Sequence, residues 1–311
     1  MRVILLKLIR MMSYQVACFG EVLWDILPDR SLPGGAPMNV AYHLQRLSIP
    51  TAMISSVGSD EKGEALLEVM AQYGLTRDFI QQDPTYETGK VYARVSPVDP
   101  MEMKYEIVKP VAWDYISDIP PLQALMRQSG NNYLVFGSLA ARNEVSRNTL
   151  LSLLEGDRNL VFDVNLRPPY YSKELITELM HHCHILKINE EELTRISSWH
   201  QWPDNIEEKA RALSVSYSIP TIIITRGAKG AALLKDGTFY QHPGYKVTVA
   251  DTIGSGDAFL AGFLYSTIKG SKPEECLSFA AALGALIASY HGGCPDYDPA
   301  EISALLINQR A

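Results

Sequence analysis

Six short apolar runs set the architecture more tightly than any other feature of this chain. They are Gln15–Phe19, Thr51–Val57, Tyr133–Phe136, Leu160–Val164, His184–Ile188 and Thr221–Thr225. Several are apolar at consecutive positions and rich in β-branched residues. That pattern belongs to strands buried on both faces, because successive side chains point to opposite sides of a sheet. Between them lie helical patterns over Asn39–Leu47, Asp60–Tyr73, Val145–Glu155, Lys173–His182 and Ile206–Tyr217. Strands that recur after helices predict βαβ units. The expected fold class is α/β, a doubly wound, mainly parallel sheet with helices on both faces.

Two stretches break that rhythm. Trp24–Pro33 and Thr88–Val111 carry turn residues and short alternating runs such as Lys90–Val95 and Met103–Val108. They read as exposed antiparallel strands, a small flap beside the main sheet. At 311 residues the length prior, roughly 150 residues per domain, allows one large or two ordinary domains. Neither an internal repeat nor a low-complexity linker divides the chain. One α/β domain over residues 14–311, with the two stretches as a β lid, is the expectation.

Composition narrows the partners. Asp and Glu (35) outnumber Lys and Arg (28), a formal net charge of −7 with no long basic run to offset it. Nucleic acid and anionic membrane surfaces are therefore not expected as partners. Hydrophobic residues at 47% supply a substantial core, yet no stretch reaches the ~20 apolar residues of a membrane span. Cys18, Cys183, Cys276 and Cys294 are scattered, with no C-x-x-C pair. Free thiols in a reducing, cytoplasmic setting fit that usage. Val3–Ile9 looks like a weak signal core but is short and interrupted by Lys7. Residues 1–13 are expected to be a dispensable extension.

The most informative local segment is Asp251-Thr-Ile-Gly-Ser-Gly-Asp-Ala-Phe-Leu-Ala-Gly-Phe263. Gly254 and Gly256 bracket Ser255 before a helix supported by Phe259/Phe263 and Leu260/Leu264 at i,i+4. Free N–H groups at a helix start attract anions, and glycine lets a phosphate approach the backbone. Asp257 falls in the first turn. Taken alone, a tight turn before an Asp-capped helix explains the segment at least as well. A dinucleotide fingerprint would need glycine at Phe259, and neither a Walker A loop nor protein-kinase signatures occur. A second segment, Pro33-Gly-Gly-Ala-Pro-Met-Asn39, precedes a helix with Val40, Leu44 and Leu47 on its buried face. It suits close approach by a hydroxylated ligand, or it is simply a loop before an Asn-started helix.

Together the two segments resemble the paired signatures of the ribokinase-like, PfkB-type carbohydrate kinases. Gly34-Gly-Ala-Pro-Met-Asn-Val-Ala41 resembles the first, and Asp251-Thr-Ile-Gly-Ser-Gly-Asp257 the second. Similar to family segments, too, are Phe19–Asp25, Val111-Ala-Trp-Asp114, Phe136–Ala140, Asp163-Val-Asn-Leu-Arg167, the N-x-x-E of Asn189 and Glu192, and Thr225-Arg-Gly-Ala-Lys-Gly230. The likeness is greatest to bacterial fructokinases and runs from about Tyr14 to the C-terminus.

The resemblance implies an α/β core, a β lid over a sugar, and transfer of the ATP γ-phosphate to a sugar hydroxyl. Asp257 would be the general base, and the N–H groups of Gly254, Ser255 and Gly256 an anion hole. Asp25 and Asn39 would bond sugar hydroxyls, Gly34 and Gly35 would leave room for the ring, and Arg167 would contact a sugar or phosphate oxygen. Asn189 and Glu192 would hold a network of Mg²⁺, water and phosphate. Thr225, Gly227 and Gly230 would lie on the nucleotide side. Asp251 and Thr252 would stand near a monovalent-cation site, with K⁺ as activator. A homodimer through the lid edge is also implied.

Several features have plainer readings. Asn189 and Glu192 also fit an Asn-started helix rich in Glu, and Arg167 a surface salt bridge. Trp113 reads first as a packed lid aromatic. His181-His-Cys-His184 reads as a helix end before a buried strand rather than a metal site. Phe279–Ala288 reads as a tightly packed helix. The expected function is an ATP-dependent fructokinase. A kinase for another sugar, sugar acid or sugar phosphate is the alternative, followed by a non-catalytic sugar binder. A Rossmann-type oxidoreductase is the remaining competitor, and Phe259 argues against it.

Overall fold

The structure is a computed structural model that describes residues 14–95, 103–128 and 132–308. The 1–13 extension and residues 96–102 of the expected lid lie outside them. The strands, in chain order, are β1 (Val16–Phe19), β2 (Leu23–Ile26), β3 (Ser31–Gly34), β4 (Thr51–Gly58), β5 (Ile80–Asp83), β6 (Gly89–Val95) and β7 (Met103–Ile107), then β8 (Tyr133–Gly137), β9 (Asn159–Asp163), β10 (Ile185–Asn189), β11 (Thr221–Thr225), β12 (Ala231–Lys235) and β13 (Thr238–His242). The helices are α1 (Ala36–Arg46), α2 (Glu61–Gln72), α3 (Pro120–Met126), α4 (Glu144–Leu154), α5 (Lys173–His182), α6 (Glu190–Ser198), α7 (Ile206–Tyr217), α8 (Ser255–Ile268), α9 (Pro273–Ala288) and α10 (Pro299–Asn308).

The main sheet runs β13-β12-β11-β10-β9-β8-β1-β4-β5. It is parallel from β11 to β5 and antiparallel across the β11-β12-β13 hairpin. The doubly wound parallel sheet expected from the apolar runs is present. Alternate residues of each run serve two cores, which is why the runs are continuously apolar. Ala17, Phe19, Phe136, Phe162 and Ile222 pack beneath α4, α5 and α7. Val16, Cys18, Val135, Val161 and Ile223 pack on the other side beneath α1, α2, α8 and α9.

After β1 the chain builds outward through β4 and β5, then returns to build the other half from β8. The reversal at β1 and β8 is a topological switch point, where open α/β sheets leave a crevice beyond the carboxyl ends of their strands. A second sheet, β3-β2-β6-β7, stands over that crevice as the lid. It differs from the antiparallel flap expected: β2 pairs β6 in parallel. The connection between them runs through α1, β4, α2 and β5, long enough for the crossover a parallel pair requires.

Candidate active site

The crevice is a cavity of about 580 Å³. Its floor is formed by the ends of β1, β9, β10 and β11, its walls by the starts of α1 and α8, and its roof by Val91, Tyr105 and Ile107 of the lid. The two glycine-led helices differ from their neighbours in a telling way. Side chains of Asp60, Asn143, Ser172, Asn189 and Asn205 cap α2, α4, α5, α6 and α7. No side chain caps α1 or α8, which start after Gly35 and Gly254. Both starts border the cavity, at the ends where the helix dipoles favour negative charge, although the Ser255 N–H already donates to the Thr252 carbonyl at 3.3 Å and the first turn of α1 contains Pro37, which has no N–H.

Both glycines are required sterically. Gly254 has φ +74°, and a Cβ there would collide with the Cα of Gly293. Gly35 has φ +113°, and a Cβ would run into the carbonyl of Glu21. Gly34 does not line the cavity. It makes room for the carboxylate of Asp25, which does. Ser255 is half-buried, its Oγ donating 2.9 Å to the Thr252 carbonyl.

Asp257, in the first turn of α8, is 9% exposed and lies on the cavity wall. It accepts a 2.8 Å hydrogen bond from Asn39 Nδ2 on α1. Burial pushes its carboxyl up to about 6, against the pull of the Lys187 charge. Lys187 comes from the middle of the site rather than its rim. Its Nζ bonds both oxygens of Asp163 at 2.8 and 3.0 Å, in register across β9 and β10. Burial, the largest single effect, would lower its pKa; the charges of Asp163, Asp257 and Glu192, with the Asp163 hydrogen bonds, together outweigh it and raise the pKa. A Cβ placed on Gly256 would come within 3.1 Å of Nζ, so the ammonium stands against the start of α8. The anion site therefore has a fixed cation as well as backbone amides.

The end of the cavity near Asp25 is acidic. Burial raises Asp25 to about 6, with Arg167 opposing, and raises Glu21 to about 7. Glu21 is 3% exposed, and its Oε2 has no hydrogen-bond partner. Arg167, exposed at the mouth, is a cation whose field reaches Glu21, Asp25 and Asp257. An acceptor hydroxyl here would meet a base, a fixed cation and the glycine-led start of a helix, groups suited to phosphoryl transfer.

The pfkB family carbohydrate kinase pattern matches residues 13–300. The chain belongs to this family. A fructokinase of Salmonella typhimurium is 26% identical over 303 residues, covering 90% of this chain and 95% of its own. An aminoimidazole riboside kinase of the same organism is 27% identical over 299 residues, covering 89% and 90%. The crystal structure of a Vibrio cholerae fructokinase with bound fructose, ADP and calcium superposes with a TM-score of 0.81 at 25% identity, covering 94% of this chain and 99% of that one.

Within this pfkB-family fold the remaining expected residues divide. Thr225 and Asn189 line the main cavity, and with Gly227 they also line a shallower hollow of about 470 Å³ beside it. Gly230 lies in neither: a Cβ there would strike the His242 carbonyl, so its φ of +83° serves the β11–β12 turn. Glu192 also lies behind the wall. Oε2 accepts from the Asn189 N–H at 3.0 Å, Oε1 from the Leu166 N–H at 2.8 Å, and Asn189 Oδ1 caps the Glu192 N–H at 2.8 Å. This reciprocal cap is the plainer of the two sequence readings, and it fixes Asn189 at the cavity edge. Asp251 accepts from the N–H groups of Ile253 and Gly292, and the Thr252 carbonyl accepts from Ser255. Thr252 also lines the main cavity.

Trp113 and Asp114 do not line the cavity. Trp113 is fully buried in the core, and Asp114 pairs with Arg142 at 2.6 Å beneath the lid base. His184 Nδ1 accepts from the Leu160 N–H, and His181 packs against Tyr217. Lys187 and Glu21 were not identified from sequence. The signal for Lys187 was available: a lone lysine inside the apolar run Ile185–Ile188 needs a buried partner, and Asp163 closes the adjacent run.

Proposed function

We propose that this carbohydrate kinase is an ATP-dependent fructokinase. The observation that carries the reading is Asp257 in the glycine-led first turn of α8, bonded to Asn39 and facing the sugar-side carboxyls. The Vibrio relative, which holds fructose and ADP, and the Salmonella fructokinase support the choice of sugar. So does the charge at the sugar end. Glu21, Asp25 and Asp257 stand against Arg167, a setting that favours an uncharged sugar over a sugar acid or phosphate.

In the reaction, a sugar hydroxyl held by Asp25 lies against Asp257, which accepts its proton as the oxygen attacks the γ-phosphorus of ATP. The raised pKa makes Asp257 a stronger base than an ordinary carboxylate while leaving it ionised near neutrality. N–H groups at Gly254 to Gly256 and the Lys187 ammonium oppose the charge on the transferring group. Arg167 steadies the sugar or phosphate at the mouth.

Magnesium would neutralise phosphate charge. Among the described residues no cluster of three His, Cys, Asp or Glu side chains forms a cage for it. That fits an ion held chiefly by substrate phosphates and water, with Asn189 touching that shell and Glu192 holding Asn189 in place. Asp251, whose carboxylate accepts from the Ile253 and Gly292 N–H groups, and Thr252, on the cavity wall, are the candidates for a K⁺ site, and no step is routed through it. No helix among the described residues is long and apolar enough to cross a membrane.

An ADP-release screen over fructose, ribosides, sugar acids and sugar phosphates, with and without K⁺, tests the reading. Fructose is expected to give the highest kcat/KM. Preference for a riboside or an anionic sugar overturns the fructose assignment, and absence of any sugar-dependent ADP release overturns the kinase mechanism.

A further inference from the structure

The segment from Gly292 to Tyr297, just after the α9 helix, runs back across the site and is pinned to α1. His43 Nε2 meets the Gly293 carbonyl at 2.9 Å, the Tyr42 hydroxyl donates to the Pro295 carbonyl at 2.6 Å, and Arg46 pairs with Asp296 at 2.9 Å. His43 is fully buried, and burial lowers its pKa to about 3, so it is a neutral imidazole. A carbonyl can only accept, so Nε2 carries the proton, and Nδ1 accepts from the Tyr297 hydroxyl at 3.3 Å. The segment is thus fixed relative to the helix that carries Asn39.

Two residues of this strap touch the Asn39 amide. A Cβ on Gly293 would come within 2.7 Å of Asn39 Nδ2, so the strap backbone closes one side of the amide. Cys294 Sγ donates to Asn39 Oδ1 at 3.2 Å, while Nδ2 donates to Asp257 at 2.8 Å. An amide has one acceptor end and one donor end, and a half-turn exchanges them. A flipped Asn39 would set its carbonyl oxygen against the Asp257 carboxylate. The carboxylate itself disfavours that flip, and a donor on the far side of the amide disfavours it further. Burial, with the charges of Asp257 and Asp25, raises the Cys294 thiol well above its ordinary range, so it keeps its proton and remains a donor.

We propose that Cys294 is a positioning residue for phosphoryl transfer, its thiol holding the Asn39 amide in the orientation that presents Nδ2 to Asp257. The thiol neither touches the substrate nor changes its own covalent state. The groups whose charges act on Asp257 are Lys187, Asp163, Arg167, Glu21 and Asp25; Asn39 is its neutral donor among the described residues, and Cys294 acts on it through Asn39. Losing the Asn39 donor removes a contact that stabilises the carboxylate, so the Asp257 pKa moves upward.

The test compares Cys294→Ala and Cys294→Ser in the full chain. Turnover and KM come from ADP release across pH. The Asp257 carboxyl is titrated separately by ¹³C NMR without substrates. That arm does not rest on the kinase reading, so the two can fail independently. The alanine variant is expected to lose about tenfold in kcat, with KM for ATP within about twofold, and its Asp257 titration is expected to rise by about half a unit to one unit. Serine, which keeps a donor, should recover kcat to within about threefold. In an Asn39→Ala background, Cys294→Ala should add no further loss, because both changes remove one coupled interaction. A Cys294→Ala enzyme with the parent's kcat and Asp257 titration overturns the proposal. So does a serine variant as impaired as alanine, or full additivity with Asn39→Ala.

Discussion

Asn39 Nδ2 and Asp257 Oδ2 lie 2.8 Å apart, although 218 residues separate them along the chain. The bond joins the starts of the two glycine-led helices, so the first glycine-rich segment orients the base carried by the second. Sequence reading placed Asn39 on the sugar. The structure places Asn39 on the cavity wall beside Asp25 and turns its amide toward Asp257.

Asp257→Asn is therefore expected to fold normally and bind sugar, yet lose about 10²–10⁴-fold in kcat, the usual span of a general base. The amide keeps the size of the carboxylate but cannot take the proton. Single-turnover ADP formation and calorimetric sugar binding check the two halves; turnover within tenfold of the parent would remove Asp257 from its assigned role.

The same carboxyl gives a pH signature. Activity through Asp257 should fall on the acid side, with a limb near its raised value of about 6. Stability should follow the opposite course. Glu21, Asp25 and Asp257 titrate at about 7, 6 and 6 when folded, above the roughly 4 of an unfolded chain. Between those values the folded state binds more protons, so this contribution is full below about pH 4 and is lost as pH rises through 6 to 7. The unfolding midpoint of the ligand-free protein, followed from pH 5 to 8, should decline, and Glu21→Gln should flatten the decline. A midpoint that climbs across this range in the parent and is unchanged in slope in Glu21→Gln would contradict the assignment of buried acids.

Much of this could be read from the sequence, for identifiable reasons. Strands buried on both faces leave unbroken apolar runs, so the parallel strands were legible. The antiparallel β12–β13 hairpin was not: its outer strand, Thr238–His242, is half-exposed and lacks such a run. Gly254 and Asp257 could be found because a glycine-led helix start is local. Lys187–Asp163 and the strap on Asn39 could not be found that way, because each is defined by a contact across the sheet or across most of the chain. Glu192 shows the converse. Its i,i+3 spacing from Asn189 was read as a shared ligand face, and the same spacing makes a capping box.

Lys187 separates fold from function. Lys187→Met leaves Asp163 buried without its partner and should destabilise the protein by about 3–5 kcal/mol. Lys187→Met combined with Asp163→Leu replaces the pair by apolar side chains and should recover most of that loss. Turnover should remain depressed in the double variant, because the cation beside Gly256 is gone. Chemical unfolding and kcat measured on all three variants separate the effects. A double variant with parent-like turnover would show that Lys187 serves packing alone.

Glycine at 254 can be weighed against glycine at 227, since both have positive φ. Gly227 has φ +55° and open space where a Cβ would stand, whereas Gly254 would drive a Cβ into Gly293. Alanine at either position carries the left-handed backbone penalty, of order 1–2 kcal/mol. Only at 254 does the substitution also displace the strap and the first N–H groups of α8. Gly227→Ala should thus show a modest fall in unfolding free energy with kcat within about threefold. Gly254→Ala should lose at least about a hundredfold in kcat, the size of effect seen when one oxyanion donor is removed. If both variants lose activity in proportion to stability alone, the amides at the start of α8 are not the anion site.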